Sequence, residues 1–219
     1  MDTTGFFKLQ KKLDEAPKTH QGHKVGCFPS LPDARNFQYG DILCANRLNE
    51  AVPVVDIDYR LLLPGAFDQG TRGTCVACAA DWTVKAYQEK KQGDFPADGL
   101  SAAFLYTKAK ELDGQPNVEG TTLKAAMQVL QKHGICPEGD MPYSTISSLP
   151  DGQVPGIPTE AFTSAEPFKI SAYAQIASAT DTNRSGTIET MRQALQNEGP
   201  FLLALLVCSN FVPDASGFL

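Results

Sequence analysis

The stretch Asp68-Gln-Gly-Thr-Arg-Gly-Thr-Cys75-Val-Ala-Cys78-Ala-Ala-Asp-Trp82 runs from a glycine-punctuated loop into the start of an amphipathic helix, with Cys75 at the junction. A helix N-terminus presents unsatisfied N–H groups and a partial positive charge, so a thiol there is expected to ionise readily and act as a nucleophile near neutral pH. Gln69, six residues upstream, can turn its amide N–H back toward the same spot. With the backbone N–H of Cys75 it makes two donors for a developing oxyanion, as acyl transfer to a thiolate requires. The competing readings of Cys75 are a small buried hydrophobe, or one half of a redox or zinc-binding Cys75-x-x-Cys78 pair. No second C-x-x-C completes a zinc site and no βαβ pattern surrounds this one, so no metal or cofactor is expected.

The loop resembles the active-site loop of the papain-like cysteine peptidases, Q-G-x-C-G-S-C-W-A-F, with Gly73 and Cys75 identical and Thr74 conservative within the cysteine pentad. Arg72 stands where that family has a cysteine that normally enters a disulfide, and Val76 replaces an aromatic. Upstream, Asp58-Tyr-Arg60 and Asp68-Gln-Gly70 are similar to the V-D-L-R and D-Q-G elements of bacterial and archaeal members. Downstream, Gly134-Ile-Cys-Pro-Glu-Gly-Asp-Met-Pro-Tyr143 resembles the family's G-I-x-x-E-x-x-Y-P-Y. On the same alignment Gly120 matches the second of two glycines whose backbone hydrogen-bonds an extended substrate, while Glu119 replaces the first. Further on, a helix, Gly199-Pro200 and the apolar run Phe201 to Val207 resemble the start of the family's β-rich lobe, with Ala204 at a position lining the main specificity pocket. A tight core contact is the equally good plain reading of Ala204.

The resemblance implies an α+β, two-lobe papain-like fold: a helical lobe over about 68–145, a linker over 146–167 and the start of a β-rich lobe over 168–219. It implies thiol-dependent peptide hydrolysis, with Cys75 and Gln69 catalytic and Gly73, Thr74, Gly120 and Ala204 lining the substrate cleft. Residues 1–52, rich in Gly and Pro, read either as a propeptide-like inhibitory arm over the cleft or as a surface-draped extension outside the core.

Within this frame helices are expected from Thr74 to about Lys91, stopped by Gly93; from Ser101 to Leu112; from Thr121 or Thr122 to Lys132, with Leu123, Met127 and Leu130 as its core stripe; and from Thr187 to Asn197. A short helix is expected over Asp2 to Leu13. Six prolines between 137 and 167 predict a crossover without helices. Strands are expected over Phe168 to Ile176 and, buried, over Phe201 to Val207.

The imidazole that such chemistry needs is expected roughly 130–150 residues beyond the nucleophile. No histidine occurs after His133, which reads as a solvated residue at a helix C-terminus. His23 lies at the upstream spacing of the caspases, but their Q-A-C-x-G signature is absent. Either the catalytic histidine lies beyond residue 219, the favoured reading, or the chain is a non-catalytic relative that binds extended peptides.

The 219 residues are 42% hydrophobic, enough for a real core, and the net charge of −6 gives no electrostatic reason to expect a nucleic-acid partner. The six dispersed cysteines read as free thiols of a reducing compartment. The N-terminus has no apolar core of signal-peptide length and no later run is long enough to span a membrane, so the expected location is cytoplasmic, or outside by a non-classical route.

Overall fold

The computed structural model describes residues 19, 20, 22–31, 33, 35–45, 55–177 and 184–207. The helix expected over Asp2 to Leu13 and the stretch Cys208 to Leu219 lie outside them. The chain begins with strands β1 (Thr19–His20) and β2 (His23–Lys24), an antiparallel pair, then β3 (Cys27–Phe28) and helix α1 (Tyr39–Ala45). Helix α2 (Cys75–Ala79) continues through a π-helical turn, Ala80–Lys85, into α3 (Ala86–Gln92). Then come α4 (Ala102–Leu112), β4 (Thr121–Thr122), α5 (Leu123–Lys132), the short α6 (Ser144–Ser147), α7 (Thr159–Ala165) and α8 (Arg184–Asn197).

The helix ends follow their local chemistry. Ser101 Oγ accepts the Phe104 N–H and Thr122 Oγ1 the Ala125 N–H, both at 3.0 Å, while Gly93 at φ +86° closes α3 as a left-handed cap. Thr74 does not cap α2 with its side chain. Its hydroxyl shares a 2.5 Å hydrogen bond with Tyr143 OH instead.

The main core lies where α2, α4 and α5 meet, around Phe104, Leu105, Val129, Leu130, Ile135 and Ile146, all fully buried. The buried face of α5 is Ala125, Ala126, Val129 and Leu130, with Leu123 and Met127 only half-buried at its border. The stripe is thus turned from the expected one, because two alanines take the buried contact and the larger side chains flank it.

The proline-rich stretch does hold helices. Pro158 is the N-cap of α7, and Pro167 lies in the first turn of the 3-10 segment Glu166–Phe168, places where proline's missing N–H costs nothing. Ala161 and Ala165 of α7 are buried in the main core. A Cβ on Gly134 would stand 2.0 Å from the Ala165 carbonyl oxygen, so glycine at the end of α5 lets α7 dock there.

Neither expected strand forms a ladder among the described residues. Residues 168–176 contribute one parallel bridge, Gln38 with Gln175. The run 201–207 is irregular, and Leu203 (53%), Leu205 (61%) and Leu206 (43%) are exposed. A strand needs a neighbour to pair its backbone and a packed layer over its face to bury its side chains, and no described segment pairs with this run. The N-terminal region, expected outside the core, joins it in part: Tyr39 and Leu43 of α1 are buried with Ala194 of α8. No helix among the described residues is long and apolar enough to cross a membrane.

Candidate active site

Cys75 is the first residue of α2 and is half-buried, its Sγ accepting the Gly26 N–H at 3.4 Å. Burial pushes its thiol above the ordinary cysteine value, against the backbone N–H groups of Gly26, Val76 and Cys75, which favour the thiolate. The readily ionised thiol expected from the helix position is therefore not what this structure holds. The N-terminal segment laid over the sulfur takes water away from it, and that loss outweighs the helix-end donors. Cys78 is buried in the core with its thiol on Thr74 Oγ1 at 3.4 Å, and burial drives it up to about 12.

The covering segment is bound along its backbone. Strand β3 runs parallel to β4, with Cys27 opposite Thr121 and Phe28 opposite Thr122. The Gly26 carbonyl accepts the Thr121 N–H at 2.8 Å, and the Lys24 carbonyl accepts from Gln69 Nε2 at 3.0 Å. His23 Nδ1 lies 3.0 Å from the Gly70 carbonyl oxygen and 3.5 Å from Asp68 Oδ1. Glycines on both sides make the approach possible. A Cβ on Gly26 would stand 2.2 Å from the Gly73 carbonyl oxygen, and one on Gly120, which has φ +106°, would stand 2.6 Å from the Gly26 carbonyl oxygen.

Gly120 itself makes no hydrogen bond to this segment. Its N–H donates to Tyr106 OH and its carbonyl accepts from buried Lys110 Nζ, both at 2.8 Å, so its polar groups face inward. Gly120 supplies the space and Thr121 the donor.

The two stretches that carry the family resemblance meet here as one unit. Gln69 donates to the Arg72 carbonyl at 2.7 Å as well as to Lys24, and its own carbonyl accepts from Tyr143 OH at 2.8 Å. Tyr143 OH also meets Thr74, and the Tyr143 N–H donates to Glu138 Oε1 at 2.6 Å. Glu138 and Tyr143 of the second stretch thereby fix the loop before Cys75.

Of the residues expected at the site, Gln69, Gly73, Thr74 and Gly120 gather around the Cys75 loop. Ala204 stands exposed in the 201–207 run. His133 is half-buried at the end of α5, its ring 6.2 Å from that of Phe162. It is thus less solvated than expected, and burial, with Lys108 and Lys132 nearby, lowers its pKa. Lys24, Gly26, Cys27 and Thr121 were not legible as cleft residues. Gly26 and Cys75 are 49 positions apart, and no local pattern announces their meeting. Among the described residues no group of three or more His, Cys, Asp or Glu side chains could hold a metal ion.

The architecture is similar to that of xylellain, a cysteine protease from Xylella fastidiosa, with a TM-score of 0.54 and 23% identity over 80% of this chain and 66% of that one. In sequence the chain is 26% identical, over 163 residues, to an uncharacterized peptidase C1-like protein of Acanthamoeba polyphaga mimivirus. The fold is papain-like, and the sequence is similar to that of a peptidase C1-like protein. Its α+β character agrees: a helical body with small two-stranded sheets. The papain-like chain covers 73% of its own length in the sequence match and spans about half the length of the curated relative. No family model matches it.

Proposed function

We propose that this papain-like chain belongs to a thiol-dependent peptidase that cleaves peptide bonds through an acyl-enzyme on Cys75. The carrying observation is that an extended backbone lies across the Cys75 thiol, with one of its carbonyls on the Gln69 amide. A cleft that takes its own segment this way takes an extended peptide substrate by the same main-chain bonds, with a parallel role for the open edge of β4. Cys75 attacks the scissile carbonyl carbon, and Gln69 and the Cys75 N–H receive the oxyanion. Gly73, Thr74 and Gly120 shape the cleft floor. The imidazole that takes the thiol proton and returns it to the leaving amine comes from beyond residue 219, and the completed β-rich lobe brings Ala204 to the second subsite.

The segment 22–28 acts as an inhibitor rather than a substrate. It presents the Gly26 N–H to the sulfur, while the carbonyl on Gln69 belongs to Lys24, so the group on the nucleophile and the group on the oxyanion donor come from different peptide units. The test is cleavage, by the full-length protein, of a peptide with a bulky apolar residue at the second subsite. Cleavage is expected to vanish in Cys75→Ala and to fall roughly 10² to 10³-fold in Gln69→Ala. Cleavage that survives Cys75→Ala sinks the reading.

The raised pKa of Cys75 favours one other reading, a non-catalytic relative that binds extended peptides. It requires full-length protein that cleaves nothing and binds peptide equally well as Cys75→Ser.

A further inference from the structure

Directly behind the nucleophile loop lies a buried ion pair with every donor in use. Arg72 is 2% exposed. Its Nε and one terminal nitrogen form a fork on Glu119 at 2.8 and 3.2 Å, and the remaining N–H groups donate to the carbonyls of Ile146, Leu149 and Gln153. Glu119 in turn accepts the Gly73 N–H at 2.7 Å and the Gly152 N–H at 2.6 Å. Three separate stretches of chain converge on these two side chains: the loop before Cys75, the cleft wall before Gly120, and the end of α6 with the turn after it.

Two departures from the family pattern thus turn out to be partners. Arg72 stands where a disulfide-forming cysteine is usual, and Glu119 where a glycine is usual. An acid at 119 does not enter the cleft, because its carboxylate is turned back onto Arg72 and Gly73.

We propose that Arg72 and Glu119 are positioning residues for the chemistry at Cys75, a non-covalent tie that sets the Gln69 amide through the Arg72 carbonyl. The geometry gives the route. With its side chain clamped, Arg72 holds its backbone carbonyl 2.7 Å from Gln69 Nε2, which takes up one amide hydrogen. The other hydrogen is thereby aimed at the place where the Lys24 carbonyl now sits. A guanidinium fork fixes direction as well as distance, which an ammonium does not. Being made of charges, the tie also holds where a disulfide would be reduced.

This inference rests on the proposed oxyanion role of Gln69, and its test separates the two. In the 219-residue chain carrying Gly26→Ala to free the cleft, two quantities are read at Cys75. Iodoacetamide alkylation needs only access and a thiolate. Binding of a peptide aldehyde breaks the Cys75 S–H bond, its proton going to water, forms an S–C bond and moves the carbonyl π pair onto oxygen, which takes a proton back from water, and so calls on the Gln69 donor while that oxygen carries charge. Arg72→Lys is expected to weaken aldehyde binding by about tenfold or more, as loss of oxyanion alignment does, with alkylation little changed. Gln69→Ala should match that loss, and adding Arg72→Lys to it should cost little more.

Should Arg72→Lys lose its cooperative melt, the pair Arg72→Met with Glu119→Leu removes both buried charges together, a change such sites tolerate. It should melt normally and still bind aldehyde weakly. Aldehyde binding at the parental level in a folded Arg72 variant overturns the positioning role while leaving Cys75 and Gln69 standing. An undiminished affinity in Gln69→Ala overturns the oxyanion reading, and the positioning role with it.

Discussion

Gly26→Ala should open the cleft. Its new Cβ would meet the Gly73 carbonyl oxygen at 2.2 Å, the carbonyl carbon at 2.7 Å and Cα at 2.9 Å, all backbone atoms. Gly73 has little freedom to yield, because Glu119 holds its N–H and Arg72 beside it is clamped at every donor. The segment must therefore shift, at an overpacking cost of about 1–3 kcal/mol. It is held near the thiol by few bonds, from Gly26 N–H, Gly26 C=O and Lys24 C=O. At roughly 0.5–1.5 kcal/mol net each, about 1.5–4.5 kcal/mol together, those bonds are comparable with the strain, so the substitution weakens the hold substantially. One tenfold change per ~1.4 kcal/mol converts the strain into an open population increased roughly 5- to 150-fold.

Since iodoacetamide reaches Cys75 through the open state, its alkylation rate, followed by mass spectrometry of the Cys75 peptide, should rise by the same factor until the cleft is fully open. Cys136, fully buried in the core, is the internal reference for global unfolding. An unchanged Cys75 rate in a variant that melts like wild type would refute the reasoning, and a parallel rise at Cys136 would mean that the fold, not the cleft, had opened.

The thiol's titration gives a second prediction: in wild type the pH midpoint of Cys75 alkylation should lie above that of an ordinary cysteine, since burial dominates, and Gly26→Ala should move it down by restoring water. Lys85 and Glu89 form an ion pair buried to 1% and 3% exposure. Lys85→Met should therefore cost about 3–5 kcal/mol in urea unfolding by leaving a buried carboxylate alone, and adding Glu89→Leu should recover most of it. Asp81, 1% exposed in the π-helical turn with Oδ1 unpartnered, has its carboxyl pKa raised by burial and by Glu138. The folded state thus holds that proton more tightly than the unfolded chain, so its contribution is fully present below the unfolded carboxyl pKa and is lost as pH rises through the folded value. Asp81→Asn should flatten this part of the stability–pH curve, and a curve that keeps its slope would count against the assignment.

The helices were legible because their signals are local: Ser101 and Thr122 as caps, Gly93 and Gly134 as stops, and apolar spacing between them need only a few neighbouring residues. The π-helical turn was not, since periodicity over a few residues does not resolve one extra residue in a helix. Helix α7 was hidden by counting prolines rather than placing them at first turns. The sequence by itself, through its resemblance, pointed to the papain-like fold and put Cys75, Gln69 and Gly73 near one another, because these lie on one compact motif whose internal geometry is short-range, whereas Gly120 reaches them only through tertiary packing.

What only the tertiary structure decided is the state of that site. Segment 22–28 lies over Cys75, burial rather than the helix end governs the thiol, Thr121 rather than Gly120 donates to the bound strand, and Arg72 pairs with Glu119. Each of these depends on residues some 45 to 95 positions apart meeting in space. The cost of burying a charge or a donor, and the partner that offsets it, are set by such long-range neighbours, which a local pattern of residues does not contain.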